Sequence, residues 1–204
     1  NASTGLVTGI SIGTVTLTAT SAGDTNYNVA TTSQLIAIGK TTPVLTITSA
    51  NTLNVDGTLT ATVSTTATFG RGGAITYAVV AGSGSATVNS NTGLVTGISI
   101  GTVTLTATSA GDTNYNVATT SQLITIGKTT PVLTITSANT LNVNSSLTAT
   151  VTTTATLGRG GAFTYAITAG SGSATVNAST GLITGISIGT VTLTVTSAGD
   201  TNYN

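Results

Sequence analysis

The stretch GTVTLTATSAGDTNYNVATTSQLITIGK, residues 101–128, contains two runs in which apolar residues alternate with threonine, serine or alanine. The runs cover residues 101–108 and 117–126, and the polar cluster GDTNYN separates them. Alternation with a period of two predicts β-strands with one buried face. The glycine, aspartate and asparagine residues of the cluster predict a tight turn, so the stretch indicates two strands joined at a corner.

The same alternation recurs upstream, where turn clusters such as SANTLN, FGRGG, AGSGS and NSNTG separate five further runs. These runs predict strands over residues 44–49, 58–65, 74–80, 86–89 and 93–98. No window shows the apolar stripe of an amphipathic helix. Seven short strands in so short a segment are typical of an antiparallel sandwich of two sheets. The fold class is therefore all-β, with an immunoglobulin-like Greek-key β-sandwich as the unit.

The chain matches itself when it is shifted by 88 residues. Residues 1–40 are identical to 89–128 at 37 of 40 positions, and residues 41–116 are identical to 129–204 at 64 of 76 positions. The segment GKTTP carries the only two prolines and follows the last apolar run of each copy. Because proline suits a linker or the first residue of a strand, we place the unit boundaries there.

This phase divides the chain into three tandem immunoglobulin-like units. Residues 1–40 are predicted to be the C-terminal part of one unit, 41–128 a complete unit, and 129–204 the N-terminal part of a further unit. Both ends are then expected to fall within a unit, as in an excerpt from a longer tandem array.

Composition excludes several functional classes. The chain of 204 residues has four lysine or arginine residues and four aspartates, with no histidine, cysteine or glutamate. Disulfides, thiolate nucleophiles and zinc sites of the cysteine and histidine type are therefore excluded. Nucleic acid is not expected as a partner, because no basic run could neutralise several phosphates. Membrane insertion is not expected either, because no apolar run reaches the ~18 residues of a spanning helix.

Enzymatic activity is not predicted. The complete unit has only the carboxylates Asp56 and Asp112, and the next copy has Asn144 in place of the first. Acid–base catalysis needs titratable groups placed together, and a paired acid would not survive that exchange. Without histidine, no base is evident for the abundant serine and threonine hydroxyls. We assign no catalytic, cofactor-binding or metal-ligating residue and expect no cofactor.

Two glycine-rich segments, GRGG at 70–73 and AGSGS at 81–85, superficially resemble phosphate-binding loops. Neither precedes a helical pattern or a GK[ST] sequence, so we interpret both as hairpin loops. Arg71 and Arg159 would then lie at exposed loop tips, where a neighbouring domain or a glycan could be contacted.

The repeated corner GDTNYN has two interpretations. Asp112 with the amide oxygens of Asn114 and Asn116 could form an oxygen cage for calcium, although one carboxylate supplies little charge. Alternatively Gly111 adopts a positive φ, Asp112 closes an Asx turn, and Tyr115 plugs the end of the sandwich with its hydroxyl on backbone. We favour the structural interpretation.

Lys40 and Lys128 raise the question of a lysine–asparagine isopeptide crosslink. That reaction needs a buried lysine beside an acid. Both lysines directly precede the linker and are expected to be solvated, so we do not predict the crosslink.

The run TYAVVAGSGSATVNSNTGLVTGISIGTVTLTATSAGDTNYNVATTSQLITIGK, residues 76–128, resembles the bacterial Ig-like domains of the Big and related types. Shared motifs are the small-residue turn, NxxTGLVTG, GTVTLTA and GDxNYN, in that order. The resemblance implies a tandem repeat of a large secreted bacterial surface protein, located outside the cell or at its surface. It implies a non-enzymatic role in an extracellular fibre or adhesin stalk. An alternative is an adhesive module that binds carbohydrate or calcium by multivalency.

Threonine supplies 53 of the 204 residues and lets sheet faces meet water without charge. Edge strands are usually protected by lysine, proline or other charges, which are nearly missing here. The expected partners are therefore neighbouring repeats of the same chain and other copies in a fibre, with glycans as a further candidate.

Overall fold

The computed structural model describes residues 1–68, 72–156 and 160–204, and eighteen β-strands lie in these ranges. The first forty residues form a hairpin of β1 (Gly13–Ser21) and β2 (Ala30–Ile38). Residues 41–128 contain nine strands: β3 (Leu45–Ile47), β4 (Thr52–Asn54), β5 (Thr58–Thr60), β6 (Val63–Thr65), β7 (Ile75–Ala81), β8 (Ser85–Val88), β9 (Leu94–Ser99), β10 (Gly101–Ser109) and β11 (Ala118–Gly127). Residues 129–204 contain seven: β12 (Leu133–Ile135), β13 (Ser146–Thr148), β14 (Val151–Thr153), β15 (Phe163–Ala169), β16 (Ser173–Val176), β17 (Leu182–Ser187) and β18 (Val191–Ser197).

The strands of the complete unit form two layers. One layer is a four-stranded sheet in the order β4-β11-β10-β7. The other contains the pair β3-β6 and the sheet β5-β9-β8. Successive strands cross between the layers, since β6 leads to β7, β7 to β8, and β9 to β10 in the opposite layer. The predicted all-β immunoglobulin-like sandwich is thus confirmed for this unit.

The second predicted strand, over residues 58–65, is divided into β5 and β6. At the division, Ala61 donates its amide hydrogen to Gly93 on one side, and the carbonyl of Thr62 accepts the amide hydrogen of Thr48 on the other. The segment therefore changes partners within one layer, which its continuous alternation did not reveal.

The strand β4 was not predicted, because Thr52–Asn54 lies inside the polar cluster that we interpreted as a turn. It pairs in parallel with the end of β11, where Thr125, Ile126 and Gly127 face Thr52, Leu53 and Asn54. The chain thus starts in one layer with β3 and continues at the edge of the other. This pairing joins residues more than seventy positions apart, so local composition carries no signal for it.

The core of the complete unit is light and aliphatic. The side chains of Val95, Val103, Leu105 and Ile124 have no exposed surface. Tyr77 and Val79 pack against this cluster as partly buried residues. Burial of such side chains is the main stabilising contribution in a unit that has no cysteine for disulfides.

The third unit repeats the strand pairs of the complete unit. β12 pairs with β14, β13 with β17, β16 with β17, and β15 with β18. The sequence ends before a counterpart of β11, and a groove of about 450 Å³ lies between Leu141 and Leu193, along the line that β11 follows in the complete unit. The first unit contributes only the counterpart of β10 and β11.

We expect the substitution Leu105→Ala to lower the free energy of unfolding by about 2–5 kcal/mol, because a fully buried leucine is lost and a cavity remains. The matched control is Leu17→Ala, at the same repeat position but 40% exposed, with an expected loss of about 1 kcal/mol or less. Urea unfolding followed by circular dichroism measures both. Equal losses would contradict the core that we describe.

Candidate functional site

The repeated corner is a turn closed by its aspartate. In the complete unit, Oδ1 of Asp112 accepts the amide hydrogens of Asn114 at 2.8 Å and Tyr115 at 2.9 Å. The amide of Asp112 donates to the carbonyl of Tyr115 at 3.0 Å, and Gly111 has a φ of 73°. The predicted Asx turn and positive φ are confirmed. The same two side-chain contacts occur at Asp24 and Asp200.

The tyrosine of the corner plugs the end of the sandwich. Tyr115 is 9% exposed, and its hydroxyl accepts the amide hydrogen of Thr68 at 3.0 Å. Tyr203 is fully buried and has the same contact with Thr156. Tyr27, in the hairpin of β1 and β2, is 76% exposed. The plug therefore needs a whole unit, whereas the turn forms without one.

Each linker lysine contacts the corner of the unit that follows it in the chain. Nζ of Lys40 donates to the carbonyl of Asp112 at 2.7 Å. Nζ of Lys128 donates to the carbonyls of Asp200 and Tyr203. Both lysines are exposed, as the sequence predicted. The contact between each lysine and the corner was not predicted from the sequence. The signal for it is that one lysine precedes each complete corner at a fixed spacing.

Gly72 and Gly73, the part of the GRGG segment that the structure describes, pack against the corner. A Cβ on Gly73 would lie 2.1 Å from the carbonyl oxygen of Gly111, so glycine is required there. The buried Ser109 hydroxyl donates to the carbonyl of Gly72. The segment connects β6 and β7 in different layers, so our interpretation of it as a hairpin loop was wrong. The predicted exposed tips at Arg71 and Arg159 lie outside the described residues.

The second glycine-rich segment, AGSGS, is also not a hairpin loop, because it connects β7 and β8 in different layers. The amides of Gly82 and Gly84 both donate to the carbonyl of Thr102, at 3.0 and 3.1 Å. Oγ of Ser83 accepts the amide hydrogen of Thr102 at 3.0 Å. These amides are occupied by the first residues of β10, which is unlike an anion-binding loop.

The corner also contacts the preceding unit. Oδ1 of Asn114 accepts the amide hydrogen of Ile12 at 3.2 Å, and Oδ1 of Asn202 accepts that of Ile100 at 3.2 Å. Ile12 and Ile100 are equivalent residues of successive units, as are the two asparagines. The same interdomain hydrogen bond thus occurs at both junctions. We define each junction as this contact and the residues around it.

The junction between the second and third units carries further contacts. The hydroxyl of Thr129 donates to the carbonyl of Val55. Val55, Ala155 and Tyr203 belong to one buried apolar cluster, which extends from the core of the complete unit. The carboxylate of Asp56 accepts hydrogen bonds from the hydroxyl of Tyr203 and from the hydroxyl and amide of Thr156.

These contacts change the acidity of Asp56. Desolvation by burial raises the pKa of this carboxyl, but the hydrogen bonds from the side chains of Thr156 and Tyr203 and the amide of Thr156 together outweigh it. The pKa is therefore held below its usual value. The ionised form of Asp56 is the form that the junction stabilises.

Two of the oxygens proposed for the calcium cage accept hydrogen bonds from backbone amides. Oδ1 of Asp112 accepts two backbone amides, and Oδ1 of Asn114 accepts the amide of Ile12. Within residues 1–68, 72–156 and 160–204, no group of three or more histidine, cysteine, aspartate or glutamate residues could hold a metal ion. The arrangement favours the structural interpretation of the corner over a calcium cage.

The same described ranges contain no helix with the length and hydropathy needed to cross a bilayer.

A family model described as bacterial Ig-like domain (group 2) matches residues 40–121. The match runs from Lys40, the residue before the complete unit, to Ser121 within β11. Domains of this family are generally non-catalytic and typically occur in extracellular or surface proteins. None of the curated proteins compared with the chain matches it.

We expect Tyr115→Phe to lower the free energy of unfolding by about 0.5–1.5 kcal/mol, because the amide of Thr68 loses its hydroxyl acceptor. Tyr27→Phe is the matched control, since Tyr27 is exposed, and its expected effect is near zero. Thermal or urea unfolding measures both. A larger loss in the control would show that the hydroxyl acts elsewhere than in the plug.

Acid is expected to weaken the junction through Asp56. A carboxyl with a lowered pKa in the folded state contributes stability above its unfolded-state pKa, and loses that contribution as pH falls through the folded-state pKa. Between pH 7 and about pH 2.5, the melting temperature should therefore fall more in the wild type than in Asp56→Asn.

The comparison isolates Asp56 from the other titratable groups nearby. The Tyr203 hydroxyl contacts Asp56, and Lys128 and Asp200 belong to the adjoining corner. These groups are identical in the variant. Equal falls in the two proteins would contradict the prediction.

Proposed function

We propose that the chain is a structural segment of a secreted bacterial surface protein, because residues 40–121 match the model of the bacterial Ig-like domain (group 2). In this proposal, tandem units such as 41–128 stack end to end and build an extracellular fibre or the stalk of an adhesin. The segment acts without catalysis. Its partners are its own neighbouring units and, in a fibre, further copies of the chain.

The observation that carries the proposal is the junction contact that recurs between successive units. Asn114 accepts the amide of Ile12, and Asn202 accepts the amide of Ile100, at the same distance. A repeated contact of equivalent residues supports a single orientation between successive units, which an extended array requires. Near-identity of the copies supports a spacer, because a recognition site usually needs one distinct module.

The chemistry of the corner also supports a structural role. Oδ1 of Asp112 accepts backbone amides of its own corner, and Oδ1 of Asn114 accepts a backbone amide of the preceding unit. Lys40, at the end of the preceding unit, donates to the carbonyl of Asp112. Each complete corner has a single carboxylate, which gives weak electrostatic attraction for calcium.

A scattering experiment tests the array. Small-angle X-ray scattering of the 204-residue chain should give an elongated particle with one maximum dimension, because each junction fixes its two units. The variant Asn114→Ala is the matched comparison, since it removes the acceptor of Ile12 at one junction only. A distribution of interdomain angles in the wild type would contradict the array.

A calcium titration distinguishes the structural array from the adhesive alternative. A ligand that binds the native state raises the melting temperature, by an amount that grows with its concentration. We expect no rise on calcium titration. A saturable rise that Asp112→Asn abolishes would instead favour a calcium-binding module.

A further inference from the structure

The turn after β4 has the same backbone in two units that differ in side chain. Asp56 has a φ of 61° and Asn144 a φ of 62°. Their amides donate to Gly97 and Gly185, at 3.0 and 2.9 Å. Aspartate and asparagine both tolerate this left-handed conformation better than most residues. The turn therefore does not decide between an acid and an amide.

What distinguishes Asp56 is its contact with the next unit. Its Oδ1 accepts the hydroxyl of Thr156. Its Oδ2 accepts the hydroxyl of Tyr203 and, at 3.4 Å, the amide of Thr156. Both carboxylate oxygens therefore accept from donors of the following unit. The turn after β4 does not depend on these contacts.

Three donors suit a carboxylate better than an amide. An ionised carboxylate is an acceptor at both oxygens, whereas an asparagine has one acceptor oxygen and one donor group. With Asn at position 56, the amide nitrogen would face either the hydroxyl of Tyr203 or that of Thr156. Hydrogen bonds to an ionised group are also about twice as strong as neutral ones.

We propose that Asp56 is an interdomain lock, which selects and holds the tyrosine–threonine pair Tyr203 and Thr156 of the next repeat. In this arrangement the residue at the turn after β4 sets the strength of each junction. Units with aspartate form the stronger junction, and units with asparagine, as at Asn144, form a weaker one. The inference rests on the proposed array, because it concerns contacts between its successive units.

A double-mutant cycle in the 204-residue chain tests the lock. The variants are Asp56→Asn, Tyr203→Phe and their combination, with the melting temperature at pH 7 as the readout. If the two side chains interact, the double variant should lose roughly 2–4 °C less than the sum of the single losses. Thr156→Val provides a second cycle with Asp56→Asn, and keeps the test available if Tyr203→Phe destabilises the third unit.

The matched control cycle combines Asp56→Asn with Tyr115→Phe. Tyr115 holds the same repeat position as Tyr203 but lies at the opposite end of the β10–β11 hairpin from Asp56. These two substitutions should be additive. Additive losses in both cycles with the third unit would overturn the lock, as would equal coupling in the control.

The outcomes separate the lock from the proposed function. Scattering from the wild type reports whether the chain is an elongated array at all. If the array is elongated and the cycles with Tyr203 and Thr156 are additive, the lock fails and the structural function stands. If the wild type bends freely, the array itself fails.

Discussion

The carboxylate of Asp112, which accepts the amide hydrogens of Asn114 and Tyr115, fixes the corner on which the rest of the unit depends. It points Tyr115 into the end of the sandwich, where the tyrosine contacts Thr68. It also leaves the side chain of Asn114 free to reach the preceding unit. One turn of six residues therefore closes a domain and joins it to another, which explains why the same letters recur in every copy.

The parts of the fold that depend on local pattern could be predicted from the sequence. Strands such as β10 and β11 follow from their alternation, and the turn and plug follow from Gly111, Asp112 and Tyr115. The parts that depend on distant partners could not. β4 owes its existence to β11, and the division between β5 and β6 reflects a change of neighbour along an unbroken alternating run. Periodicity tells which face a residue occupies, but not which strand lies beside it.

The candidate site illustrates the same limit. The sequence identified the corner but assigned no role to Asn114 beyond a candidate calcium ligand, because an amide in a polar turn has many possible partners. The exchange of Asp56 for Asn144 argued against catalysis, but the sequence did not reveal that Asp56 contacts the next unit. The turn after β4 keeps the same φ with aspartate or asparagine, and the side chain of Asp56 contacts Thr156 and Tyr203 of the next unit.

The hairpin of β1 and β2 keeps its full register and its Asx turn without the other strands of a sandwich. Such a hairpin can form early, because its contacts are local in sequence. The strand β2 differs from residues 118–126 of β11 at one position only, Ala37 for Thr125. Newly made units therefore carry interchangeable strands, and each sandwich must close before its neighbour emerges from the ribosome if strand exchange between units is to be avoided.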